Sequence, residues 1–184
     1  MNIKQLRDTI WTTRVSRVNA EKRLLSKDSF IQGINIYYSC VTIFFSILSL
    51  VNSNERLDLI NLFMTISLLV TILYLNSLKY SERARDYKTN YTELHKLELE
   101  LEEDTISKER ISKIKNEYCD LLNSSCNHTT YDYYCTVKGA NEEYKKMRWK
   151  EIRFFYWINI IWRLVVKLVV IILPVLLYCF AGVI

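Results

Sequence analysis

Glycine and proline are almost missing from this chain. Three glycines (Gly33, Gly139 and Gly182) and one proline (Pro174) punctuate 184 residues. Hairpins, tight turns and irregular sheets consume both residues freely, so the class is all-α. Glycines this dispersed exclude a glycine-rich phosphate loop. Histidine is scarce as well, with His95 and His128 alone. No Ser-His-acid or Cys-His arrangement emerges, and neither an enzyme nor a cofactor is expected. Five cysteines make no even-numbered disulfide framework, and two of them, Cys40 and Cys179, lie in apolar runs. A reduced, cytoplasm-facing context follows. The net charge of +5 is modest, and its distribution says more about membrane orientation than about nucleic acid.

Charge is absent altogether from two stretches, residues 33–51 and 59–78. Each is close to the ~20 residues that cross ~30 Å of hydrocarbon as a helix. The short polar link between them forces the second helix back beside the first, so residues 30–79 are predicted to form a transmembrane hairpin. No cleavable signal is evident, because the N-terminus opens on a charged stretch. Lys4, Arg7, Arg14, Arg17, Lys22, Arg23 and Lys27 precede the hairpin, and Lys79, Arg83, Arg85 and Lys88 follow it, whereas the link holds Arg56 beside Glu55 and Asp58. The positive-inside rule puts both ends of the hairpin, and the N-terminus, in the cytoplasm.

Residues 1–29 read as a basic amphipathic helix. Ile3, Leu6, Ile10, Val18 and Leu25 recur at helical spacing, and the polar residues 26–29 break the pattern before the bilayer. Trp11, Arg14 and Arg17 suit a membrane interface; packing against the other cytosolic helices is the competing reading. Residues 80–152 form the cytosolic helical region. It continues from the second membrane helix with Tyr80, Tyr87, Leu94 and Leu101 seven apart, a seam for another helix of this chain or of a neighbour. An acidic end at residues 98–104 follows, then a helix at 107–123 and a third from 131 that Gly139 weakens. Residues 153–184 are predicted to form a C-terminal membrane-embedded helix. Trp157, Trp162 and Arg163 mark its interface, Lys167 snorkels, Pro174 kinks it, and spanning and interfacial placements both remain open.

The hairpin is polar for a lipid-facing pair. Ser39, Thr42 and Ser46 share one helix face, as do Asn61, Thr65 and Thr71 on the other helix. Such faces let helices approach and hydrogen-bond in lipid. They serve either as ordinary hairpin packing or as the lining of a conduit among several copies. The densest polar cluster, residues 121–134, supplies Asn127, His128, Asp132 and Tyr133 as candidates for sensing a ligand, such as a nucleobase stacked on tyrosine. The alternative is an interhelical corner in which Asp132 caps the next helix. Cys119, Cys126, His128 and Cys135 match no zinc spacing, so no metal site is assigned.

Three stretches together resemble one family. They are Ile10-Trp11 through Arg14, Arg17, Ala20-Glu21 and Leu24 to Lys27-Asp28; Tyr80-Ser81-Glu82-Arg83-Ala84 through Tyr87, Asn90-Tyr91, Glu93-Leu94 and Lys96-Leu97; and Asn127-His128 with Asp132-Tyr133. In that order around a hairpin they look like the SLATT proteins, two-transmembrane effectors of bacterial defence, and most like the branch associated with reverse transcriptases. Cys126 stands where relatives often carry Glu. The resemblance implies an inner-membrane homo-oligomer that permeabilises the lipid bilayer and causes abortive infection once triggered. It also implies an operon-encoded reverse transcriptase or nucleotide-signal synthase as partner. A different class of function, a membrane anchor or scaffold recruiting an enzyme through the seam at residues 80–101, predicts co-purification without toxicity.

Overall fold

A computed structural model describes residues 2–53, 55–102, 106–140 and 142–180. Those residues form six helices and no strand: α1 (Ile3–Asn52), α2 (Glu55–Ser77), α3 (Tyr80–Glu100), α4 (Lys108–Asn123), α5 (Thr130–Gly139) and α6 (Glu142–Phe180). They divide into two compact units. A helical unit takes Met1–Ser26 and Ser81–Asn159, and an apolar unit takes Lys27–Tyr80 and Ile160–Ile184.

The break expected at residues 26–29 is not there. No glycine or proline interrupts that stretch, and Gln32 donates to Asp28 one turn back at 2.9 Å, so α1 runs through it. The expected continuity from the hairpin into α3 fails in the opposite sense. Leu78 and Lys79 close the end of α2 with i→i−3 bonds of 3.2 Å each, and Lys79 takes a left-handed φ of 48°. A non-glycine residue seldom adopts that conformation. Gly139 ends α5 rather than weakening a longer helix, and α6 begins at Glu142.

The helical unit is built on the predicted seam. Leu94 and Leu97 of α3, with Leu101 just past its end, meet Leu6 and Ile10 of α1 and Ile114 and Tyr118 of α4 in one buried cluster. A fully buried Leu or Ile stabilises by about 1.5–3 kcal/mol. Since Tyr87, Leu94 and Leu101 are buried within their own chain, the seam is occupied and does not present the recruiting surface that the scaffold reading requires. Polar contacts fix the same interface: Arg14 Nε donates to Glu98 Oε2 at 2.5 Å, and the Thr13 and Tyr118 hydroxyls share a bond of 2.9 Å.

The apolar unit packs the end of α1 against α2 and α6. Phe45, Leu57 and Met64 are its buried centre, with Tyr38, Val41, Leu48, Leu177 and Tyr178 around them. Phe45 stacks on Tyr178 with ring centroids 5.6 Å apart. Large apolar side chains such as Ile43, Phe44, Leu62, Phe63 and Leu176 point outward, each more than half exposed. An inside-out surface of this kind is what hydrocarbon solvates. Among the described residues three helices are long and apolar enough to cross a membrane: the hairpin pair and α6. Pro174 sits inside α6 and removes the amide that the Val170 carbonyl, four residues earlier, would otherwise accept from. The Tyr38 hydroxyl donates to that carbonyl at 2.7 Å, and the Tyr37 hydroxyl donates to the next, Ile171, at 3.0 Å.

Candidate functional site

The helical unit contains a polar centre inside an apolar frame. Along α1, Leu6, Ile10, Thr13, Arg17, Ala20 and Leu24 alternate at four and three residues, and all are buried. That is the spacing of an inward-facing helix stripe. Arg17 therefore occupies a core position. It was expected at the membrane interface, but it is 0 % exposed, and its Nη1 donates to the Leu121 carbonyl at 3.1 Å. Burial pulls the guanidinium pKa down, and the neighbouring Tyr87 and Tyr118 act in the other direction. Arg14, also expected at the interface, is turned toward Glu98. Trp11 is half-buried, Trp157 and Trp162 are 51 % and 68 % exposed, and Arg163 is half-buried.

Asp132 organises the opposite wall. Its carboxylate is 0 % exposed and accepts from Arg23 of α1 through both oxygens, Nε to Oδ1 at 2.8 Å and Nη2 to Oδ2 at 3.0 Å. Oδ2 also takes the Thr129 backbone N–H at 2.8 Å and its hydroxyl at 2.7 Å, which caps the start of α5. Asn19 adds bonds to the Asp132 carbonyl at 3.3 Å and to Thr136 Oγ1 at 3.0 Å. Ser16 meets the same hydroxyl at 2.9 Å. Asp132 is thus a structural keystone of α5 rather than a group presented to a ligand.

The remaining residues of the predicted sensing cluster separate. Asn127 is exposed, and its carbonyl accepts from the Tyr87 hydroxyl at 2.9 Å. Tyr133 is half-buried, its ring 6.4 Å from that of Tyr134. His128 turns inward, with Nδ1 buried and without a partner among the described residues. Burial holds the His128 pKa below its usual value, and Arg17 pushes it the same way against Asp132. The folded chain therefore resists a proton that the unfolded chain accepts, and stability is lost as pH falls through the unfolded value near about 6.5. Melting midpoints should drop between about pH 7 and pH 5, and His128→Asn should flatten that drop. An equally steep profile in the variant would remove His128 as its source.

Asn90, Arg23 and Tyr87 belong to this centre and were not singled out as site residues from the sequence. The alternating spacing of Leu6, Ile10, Thr13 and Arg17 carries the signal for the α1 side. Among the described residues no group of three or more His, Cys, Asp or Glu side chains is placed to hold a metal ion.

The polar faces of the hairpin divide. Asn61 Nδ2 donates to Ser46 Oγ across the two helices at 2.8 Å, and Ser49 donates to Asp58. Ser39 and Thr42 turn their hydroxyls onto the α1 backbone carbonyls of Asn35 and Ser39. Ser46, Thr65 and Thr71 are exposed on the outside of the apolar unit.

No curated protein and no solved structure matches this chain. One family model does, described as SMODS and SLOG-associating 2TM effector domain family 5, over residues 1–180. That description counts two transmembrane helices; among the described residues the hairpin pair and α6 are all of sufficient length and apolarity. The match takes in every helix of both units, and the chain is a membrane protein that belongs to this family of SLATT effector domains.

Proposed function

We propose that this protein is a membrane effector of antiphage defence that assembles into a homo-oligomer and permeabilises the bacterial inner membrane, with its N-terminus in the cytoplasm. One observation carries the reading beyond family membership. Ser46, Thr65, Ser67 and Thr71 expose small polar side chains among the large apolar groups, such as Phe44, Ile47, Leu62, Phe63, Ile66 and Leu69, that cover most of the same helices. In lipid such groups gain from meeting another copy or water. Copies associating through them would bring Ser39, Thr42 and Asn61 near a shared path. The trigger comes from a sensor encoded alongside, a reverse transcriptase or a nucleotide-signal synthase, and arrests the infected cell.

The test is membrane potential in cells expressing the triggered system. The wild-type chain should depolarise them. Thr65→Arg, checked for equal insertion because a central arginine costs about 2.5–3.5 kcal/mol to insert, should reduce the leak. Growth arrest with the potential intact would overturn permeabilisation. Equal leak in a well-inserted variant would remove this face from the path.

A further inference from the structure

At one point the helical unit holds more hydrogen-bonding capacity than its own atoms use. Arg17 is fully buried, yet its Nε and Nη2 have no acceptor among the described residues. Asn90, 5 % exposed, donates Nδ2 to the Leu121 carbonyl at 2.8 Å and to Ser124 Oγ at 3.2 Å, while its Oδ1 is unused. Arg17 and Asn90 thus converge on the same carbonyl, at the end of α4. Ser125 Oγ and His128 Nδ1, in the link that follows, are buried and unused as well.

Arg23 shows what the same edge does when satisfied. Its Nε and Nη2 grip both oxygens of Asp132. Arg17 offers that edge less than two turns earlier on α1, and a buried cation lacking a counter-charge is costly. The Nε–Nη2 fork fits two oxygens of an oxyanion. Asn90 Oδ1 is an acceptor, so the matching ligand also donates a proton. Hydrogenphosphate has both characters near neutral pH, whereas sulfate has only the first.

We propose that the helical unit binds a phosphate group beside Arg17. Two of its oxygens accept from Arg17 Nε and Nη2, its P–OH donates to Asn90 Oδ1, and Ser125 and His128 lie within the same polar centre. The group enters by displacement of the link at residues 124–129, where Ser124, Cys126, Asn127 and Thr129 are exposed. Arg17 lies on the helix that also carries the first apolar run, so occupancy regulates the effector proposed above and, in that respect, rests on that reading. The binding itself does not.

The test uses the full chain in phosphatidylcholine nanodiscs, with equilibrium dialysis of radiolabelled inorganic phosphate and melting curves at constant ionic strength. The wild-type chain should bind about one phosphate saturably and melt higher with it, with no rise in equimolar sulfate. Arg17→Met should bind at least about tenfold more weakly and, without phosphate, melt no lower than wild type. If that variant does not fold, Arg17→Lys keeps the charge and loses the fork, and should lose affinity likewise. Adenosine 5′-monophosphate that displaces the label at about pH 5.5, below the second phosphate pKa of about 6 so that the monoester keeps its P–OH, would identify a nucleotide as the source of the group; failure to displace it there would identify free orthophosphate. Equal phosphate response in wild type and variant, an equal response to sulfate, or no wild-type response to either phosphate probe would overturn the site. Membrane potential does not enter this readout, so its failure and that of the effector reading are distinguishable.

Discussion

Replacing Asp132 by alanine should destabilise the helical unit by about 3–5 kcal/mol, the usual cost of breaking a buried ion pair from one side. The side chain satisfies two demands with one carboxylate. It neutralises Arg23, itself only 11 % exposed, and it holds the backbone N–H and hydroxyl of Thr129 at the start of α5. A cap alone contributes about 1 kcal/mol. The short α5 is below the length at which a helix stands by itself in water, so losing the cap and the Arg23 bond together should release it from α1. Asp132→Asn keeps the shape and one acceptor and should lose less. Unfolding of the detergent-solubilised chain reads the stability, and limited proteolysis around residues 123–140 reads the local effect. A loss below about 1 kcal/mol would equate this pair with an exposed surface bridge and contradict its burial.

A second large effect is expected in the apolar unit, at the proline of α6. Tyr38→Phe should cost about 1–2 kcal/mol, the range of hydrogen bonds between membrane helices. The reason is specific to Pro174. The Val170 carbonyl has lost its helical donor, and no bulk water in hydrocarbon replaces it, so Tyr38 provides the substitute. Pro174→Ala restores the amide. In that background Tyr38→Phe should fall to within about 0.5 kcal/mol of neutral, which makes the two changes strongly coupled in a double-mutant cycle. Equal costs with and without the proline, measured by unfolding in mixed micelles, would show that the tyrosine is not serving the broken turn.

The hairpin was legible because it is defined by missing charge over two long windows, a signal that no single residue can spoil. The seam of α3 was legible from its repeat of seven, and the capping role of Asp132 from a carboxylate at the start of the helix predicted from 131. Arg23 and Asp132 were not read as a pair. They are 109 residues apart, and nothing local to either names the other. Arg17 was misplaced because an arginine on a basic helix looks like a headgroup contact, although its register with Leu6 and Ile10 assigns it to the core. Lys79 was opaque for another reason, since a left-handed lysine leaves no compositional mark where a glycine would. The continuity of α1 through residues 26–29 shows that a polar cluster without glycine or proline does not end a helix whose flanks are both helical.

The helical unit is made from two separated pieces of chain, Met1–Ser26 and Ser81–Asn159. At the ribosome this imposes an order of events. The first piece emerges with Leu6, Ile10 and Arg17 unpartnered, and the hairpin is synthesised before α3, α4 or α5 exists. At about 5–20 residues per second, the interval between Arg23 and Asp132 lasts on the order of 5–20 s. During that time the two apolar runs are already available for insertion. The apolar runs therefore exist, and can meet the bilayer, before Asp132 has been made to pair with Arg23.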